Sequence, residues 1–339
     1  MRPFSLHRPT DLRGALDARS QGAAVYVAGG TNLIDLMKLR VEQPGALVDL
    51  SGLPDLDRIE TTVDGGLRVG ALVTMRQLAD HPAIQRGFPM IAQALNQGAS
   101  AQLRNMATLG GNLLQRTRCA YFRDVATACN KREPGSGCDA WDGLHRDHAL
   151  LGVSPHCIAL HPSDLCVALI ALDVHVVLQG PQGDRTVPLA RLHRLPGDTP
   201  HLEHDLQPGE LITTLVIDPH PAAARSGYLK IRDRESYQFA VVSVAAAVQL
   251  DADGSVRQAR IGLGGVGAKP WRADAAEDYL RGRQLDDGVA LEAGRLAMQG
   301  AQPRPLNAFK IPLMRQTVAT LLLTLAQDTA PSPTTEPQA

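Results

Sequence analysis

Aromatic side chains are scarce, at 4% of the chain, which argues against a stacking platform for bases or sugars. Nor is there a surplus of charge: 34 Lys and Arg face 35 Asp and Glu, a formal net charge of −1. Nucleic-acid binders and membrane-surface proteins usually show a basic excess or a basic run, and neither is present. No stretch approaches the roughly 20 apolar residues that a membrane span needs. The first residues, MRPFSLHRPTDLRGAL, have neither an apolar core nor a small-residue cleavage site. A Sec signal is therefore not expected, and any export would rest on a partner's signal. There is also no Ser–His–Asp set, acid/base carboxylate pair or nucleophilic cysteine with an obvious base. No catalytic residue for chemistry on an organic substrate is assigned.

With 339 residues and 44% hydrophobic content, the chain is long enough for two or three domains. Residues 24–28 (AVYVA) read as a buried strand and Gly29-Gly30 as a turn. Thr31 or Asn32 then caps a helix with Leu33, Leu36, Met37 and Leu39 mostly on one face. A strand at 46–50 completes a strand–helix–strand unit. Another strand from about Gly66 leads into a helix beginning at Thr74. Residues 81–98 continue helical, and 100–113 return to a loop. Ser163 is expected to cap a helix burying Leu165, Ala168, Leu169 and Leu172. VHVVL and RTVPL, joined by QGPQGD, read as a hairpin. From near Pro219, strands at about 239–250 and 255–264 precede helices around 272–281, 286–298 and 313–327. The expected fold class is α+β, with subdomains at 1–55 and 56–218 and a C-terminal domain at 219–328. The Pro-, Thr- and Ser-rich tail, 329–339, is expected to be disordered.

Two Gly-Gly turns stand out, VAGGTNLI (27–34) and ATLGGNLL (107–114). Glycine lets backbone N–H groups approach phosphate oxygens, and a helix N-terminus behind the loop adds favourable partial charge. The hydroxyls of Thr31 and Thr108 and the amides of Asn32 and Asn112 supply further hydrogen bonds. Either loop alone is an ordinary turn, but the pair would grip a pyrophosphate from both sides. A third run, GLGGVG (262–267), fits G-x-G-x-x-G. Pro270 follows it instead of an apolar helix, so the dinucleotide reading is rejected.

The segment 115–157 differs in kind, with few aliphatic residues and many Arg, Asn, Gly and Cys. So long a stretch without apolar periodicity is uncommon in a compact domain unless something else orders it. Four of the five cysteines lie here, spaced Cys119-x9-Cys129-x8-Cys138-x18-Cys157. A chain this large does not need disulfides, so the clustering suggests a metal site. The spacing alone leaves an iron–sulfur cluster, structural zinc, and disulfides or free thiols all open. Arg118, Arg123, Lys131 and Arg132 would offset thiolate charge, or form an ordinary solvated basic loop. His145, His148 and His156 read as structural or surface residues, and Cys166 as a small core residue.

The order VAGGTNLIDLMK, LRNMATLGGNL, HPSDLCVALIALD, LQPGELI, YLKIRDRESYQFAVVSVAAAV and IGLGGVGAKPWRADAAEDYL resembles the FAD-binding subunits of the xanthine oxidase (molybdenum hydroxylase) family. The resemblance runs from about residue 3 to 325. The segment QRTRCAYFRDVATACNKREPGSGCDAWDGLHRDHALLGVSPHC resembles the inserted segment of the periplasmic aldehyde oxidoreductase subunit, where it holds a [4Fe–4S] cluster.

The resemblance implies a two-part FAD-binding domain of the vanillyl-alcohol-oxidase/PCMH-like type, followed by an antiparallel sheet with helices. It implies FAD bound by Tyr26, Val27, Ala28, Gly29, Gly30, Thr31, Asn32, Leu33 and Ile34 in one loop, and by Thr108, Gly110, Gly111 and Asn112 in the other. Asp164 would reach the ribityl or ribose portion, Leu206 or Gln207 the isoalloxazine edge, and Lys230 the ring's polar end. Without the family, Asp164 reads as a second capping residue and Lys230 as a solvated strand lysine. Asn32 stands where relatives often have Asp; it can still cap. The cluster would be held by Cys119, Cys129, Cys138 and Cys157. A large molybdenum–pterin subunit and a small subunit with two [2Fe–2S] clusters are implied as partners, with no nucleic acid and no membrane span. This chain would pass electrons from the small subunit's clusters to an external acceptor during aldehyde oxidation. Periplasmic location by co-export is implied, with the cytoplasm as the alternative. Rival readings are another member of the family, such as a CoA-thioester reductase or purine hydroxylase, and a flavin-free scaffold with a four-cysteine zinc site. Because the glycine loops lie outside the insertion, losing the cluster is expected to leave FAD binding at least partly intact.

Overall fold

The computed structural model describes residues 1–20, 22 and 24–327; the tail expected to be disordered lies outside them. The strands Ala24–Val27 and Ala46–Asp49 pair in parallel around the helix Leu33–Lys38. A strand not foreseen from sequence, Ser5–His7, pairs with the other edge of Ala46–Asp49. The helix buries Leu36 and Met37, whereas Leu39 ends it and is exposed. Asn32 stands at the N-cap without making the expected side-chain cap. Its Oδ1 instead accepts the backbone N–H of Arg116 at 2.9 Å.

A five-stranded antiparallel sheet follows, in the order Ile59–Thr61, Leu67–Gly70, Leu211–Ile217, His175–Gly180, Gly183–Pro188. The expected hairpin is its edge. Its central strand, Leu211–Ile217, escaped the sequence reading although its residues alternate in exposure near its end. The helix at Thr74 begins with a capping box, in which Thr74 and Gln77 satisfy each other's backbone N–H. The helical stretch 81–98 is two helices, Pro82–Gly87 and Pro89–Gln97. Proline starts a helix well but disfavours helical geometry in the residue before it, so the break falls at Phe88. Residues 100–113 are not all loop: Ser100 and Thr108 cap the short helices Ala101–Arg104 and Leu109–Leu113.

The C-terminal sheet is antiparallel, in the order Trp271–Arg272, Val256–Gly264, Val242–Leu250, Ser226–Ile231. The strand Val242–Leu250 is buried on both faces. Ala245 and Ala247 join the core of the preceding domain, and Val244, Ala246 and Val248 pack with Val318 and Leu322 of the helix Lys310–Gln327. Burying each Val or Leu stabilises by roughly 1.5–3 kcal/mol, and a strand that does so on alternate faces locks the two domains together. The glycines of GLGGVG have a packing role here. A Cβ at Gly262 would overlap the Val167 carbonyl, and one at Gly264 would overlap Ser243 and Val167. Glycine lets the helix Asp164–Ile170 lie on the sheet. Among the described residues no helix is long and apolar enough to cross a membrane.

Candidate cofactor sites

A cleft of about 680 Å³ runs between the small parallel sheet and the five-stranded sheet. That is within the roughly 300–1,000 Å³ of typical ligand pockets. Both Gly-Gly loops line it. The second loop is strapped to segment 71–75: Met75 N–H donates to Ala107 O, Leu109 N–H to Val73 O and Gly110 N–H to Ala71 O, all at 2.9 Å. The first loop rests on the second, because a Cβ on Gly29 would overlap the Met106 carbonyl. Gly29 is thus required by loop-on-loop packing, where the sequence suggested close approach to phosphate. Gly30 has φ +70°, the left-handed region that favours glycine. Among the described residues, the N–H groups of Gly29, Gly30, Thr31 and Asn32 donate to no protein acceptor. Four free donors in sequence are suited to an anion.

Tyr26, Val27, Ala28, Gly29, Gly30, Thr31, Asn32, Leu33, Thr108, Gly110, Gly111, Leu206 and Gln207 all line this cleft. Tyr26 donates its hydroxyl to Gly209 O at 3.0 Å, and burial pushes its pKa up to about 12, so the phenol stays neutral. Ile34 and Asn112 are not among the lining residues. Asn112 turns into the core, accepting Ser163 Oγ at 2.5 Å and donating to Met75 Sδ. Asp164 and Lys230 also lie off the lining, paired with each other. Lys230 Nζ donates to Asp164 Oδ2 at 2.8 Å and to Gln97 O at 3.1 Å, and Tyr228 donates to Asp164 Oδ1 at 2.5 Å. Burial pushes the Asp164 carboxyl up while the Lys230 ammonium opposes this. Lys230 is therefore not the solvated lysine its strand suggested, and Ser163 alone caps the helix, accepting Cys166 N–H at 3.0 Å. Arg116, Glu42, Arg194 and His204 line the cleft too. No motif marks them, since their neighbours come from distant segments.

Beside the cleft, Cys119, Cys129, Cys138 and Cys157 line one small pocket with Tyr121, Phe122, Asn130 and Lys131. Only one helical turn, Ala120–Arg123, lies in segment 115–157. Side chains hold its backbone. Asn130 Oδ1 accepts Gly135 and Gly137 N–H at 3.1 and 2.9 Å, Asp139 accepts Ala128 N–H at 2.8 Å, and Arg132 donates to Tyr121 O and Phe122 O. Burial pushes the Cys119 thiol up to about 12 and Cys157 to about 11. As thiolates they need a compensating positive centre. Lys131 favours the Cys157 thiolate, and His148 Nε2 stands 3.1 Å from Cys119 Sγ.

Among the described residues, the only three metal-ligating side chains whose donor atoms all fall within 4.8 Å of one another are His161, Cys166 and His193. No three of the four sulfurs in the cysteine pocket therefore all lie within 4.8 Å of one another. Tetrahedral zinc, with Zn–S about 2.3 Å, would hold them roughly 3.8 Å apart. The wider spacing suits a multi-atom core better than a single ion. Cys166 itself is a fully buried core residue whose thiol burial pushes up to about 12.

Known proteins resemble this chain in sequence and fold. Residues 2–221 match the FAD-binding domain of molybdopterin dehydrogenases, and residues 227–330 the C-terminal domain of CO dehydrogenase flavoprotein. The FAD-binding subunit of an Escherichia coli aldehyde oxidoreductase is 48% identical over 324 residues, 95% of this chain and 98% of that one. A subunit of the 6-hydroxypseudooxynicotine dehydrogenase complex of Paenarthrobacter nicotinovorans is 27% identical over 83% of this chain and 78% of its own length. Quinoline 2-oxidoreductase from Pseudomonas putida 86 shares the fold, with a TM-score of 0.74 over 96% of this chain and 97% of that one, at 23% identity. This chain belongs to the FAD-binding subunits of the molybdenum hydroxylase family of oxidoreductases.

Proposed function

We propose that the chain is the FAD- and [4Fe–4S]-carrying electron-transfer subunit of a molybdenum-dependent aldehyde oxidoreductase. It would accept electrons from a small subunit with two [2Fe–2S] clusters and pass them to an external acceptor. A large molybdenum–pterin subunit would convert the aldehyde to the carboxylic acid. The observation that carries this reading is the placement of two glycine loops in one cleft and four cysteines in one pocket beside it. The 48% identical aldehyde oxidoreductase subunit supports the aldehyde class over a CoA-thioester reductase or purine hydroxylase.

FAD, when bound, supplies exchange of one or two electrons. The chain's residues bind and orient. The free N–H groups of Gly29 to Asn32 would take the pyrophosphate, and Leu206 and Gln207 would form the opposite wall. The family likeness assigns Asp164 to the ribityl or ribose portion and Lys230 to the ring's polar end. Either contact needs the buried Asp164–Lys230 pair to turn toward the cleft. Cys119, Cys129, Cys138 and Cys157 would hold the cluster as thiolates. Periplasmic location by co-export with a signal-bearing partner belongs to the same proposal.

The complex purified with its partner subunits tests the reading. Under anaerobic conditions an aldehyde should bleach the flavin absorption of the complex and leave that of the isolated chain unchanged. Bleaching by a purine or a CoA thioester, with aldehydes inert, would overturn the substrate class.

A further inference from the structure

The flavin cleft and the cysteine pocket share a wall. The helix Leu33–Lys38 buries Leu36 against Phe122 and Cys129, with Cys119 packed beside them, and Leu36 also lines the cleft. Asp35 of the same helix pairs with Arg123 at 2.6 Å. Arg116 stands at the junction. Its backbone N–H holds Asn32 of the first glycine loop, and its guanidinium pairs with both Glu42 and Glu203 and lies 4.5 Å over the Phe122 ring. Glu203 in turn holds Lys131 at 3.0 Å, and Lys131 lines the cysteine pocket. With two carboxylates against it, the Arg116 cation acts as a strut between the sites.

We infer that occupancy of the cysteine pocket sets the affinity of the cleft for FAD, with Arg116 as the positioning residue that carries the coupling. The inference rests on reading the pocket as a metal-cluster site. Segment 115–157 has few apolar anchors of its own. Emptying the pocket loosens Phe122 and Lys131, the Arg116 strut loses fixed partners, and the Asn32 tether goes slack. The free N–H groups of the first loop are then no longer held in place. Linkage makes the coupling reciprocal, so bound FAD retains the cluster by the same factor.

The test titrates FAD into the full chain, as purified and after iron removal by oxidant and chelator, for wild type and Glu203→Gln. Glu203 does not line the cleft, and its carboxylate pairs with Arg116 and Lys131. Iron removal should weaken FAD binding of the wild type roughly tenfold. Glu203→Gln should retain iron, bind FAD several-fold more weakly, and respond less to iron removal. FAD should also slow the loss of iron to chelator. An unchanged FAD affinity on iron removal overturns the inference, as does a Glu203→Gln variant that binds and responds like wild type. Zinc without sulfide in the purified chain overturns the cluster reading instead, and the coupling is then read by stripping the zinc.

Discussion

Around the flavin cleft, order comes from regular structure. Gly29 rests on the Met106 carbonyl, the second loop is bonded to segment 71–75, and both loops ride on sheets and capped helices. In segment 115–157 there is one helical turn, and the chain path is fixed by Asn130, Asp139 and Arg132 bonding to backbone, around four cysteines. The contrast teaches that the cleft can exist before its ligand arrives. The cysteine pocket gathers four cysteines, and burial opposes ionisation of three of them, Cys119, Cys138 and Cys157, so it gains most from what it binds.

The largest effect that would sharpen this contrast comes from Lys230→Met. It leaves the buried Asp164 carboxylate unpaired, a loss of roughly 3–5 kcal/mol, and it strikes the scaffold beside the cleft and not the cysteine loop. Chemical denaturation should show the loss while the iron content of the folded fraction holds. A smaller effect is expected from Gly29→Ala. Its Cβ must displace the Met106 backbone, an overpacking cost of roughly 1–3 kcal/mol, felt as about a 5- to 150-fold weaker FAD affinity. Equilibrium dialysis of FAD would break the contrast if the variant bound like wild type.

Acid gives the smallest effect, at a small pocket that borders both sites. His161 and His193 lie there beside Cys157, Lys131 and Leu114. Burial lowers the His193 pKa from 6.5 to about 4. The unfolded chain therefore takes up protons first, and stability is full above the unfolded value and falls as pH drops toward the folded one. The loss is at most about 2 kcal/mol by about pH 5. Thermal melts from neutral pH downward should show it in wild type, and His193→Phe should make the dependence shallower, with His161 still contributing.

Much of the fold was legible in the sequence. Alternation and turn residues marked the hairpin 175–188 and the long C-terminal strands, and capping residues marked Thr74 and Ser163. The glycine loops and the four cysteines were legible as pairs and clusters of rare residue types. What escaped depends on register between distant segments. The strand Leu211–Ile217 finds its partners 144 to 150 residues upstream at Leu67–Gly70 and across at His175–Gly180. Arg116 meets Glu42 and Glu203, 74 and 87 residues away. Asp164 meets Lys230 across 66 residues, a buried pair that the sequence around neither residue announces. Asn32 and Asn112 looked alike beside their glycines, yet one tethers Arg116 and the other faces the core.

On the proposed reading, one cleft holds a flavin and the neighbouring pocket an iron–sulfur cluster. The most direct measurement is the absorption spectrum of the purified chain with flavin, iron, acid-labile sulfide and zinc quantified, alongside Cys129→Ser. The wild type should contain about one FAD and about four irons with matching sulfide, and Cys129→Ser should lose the iron while FAD still binds at saturating concentration. Zinc without iron or sulfide, no releasable flavin, or a Cys129→Ser chain that keeps its iron and loses FAD would contradict it.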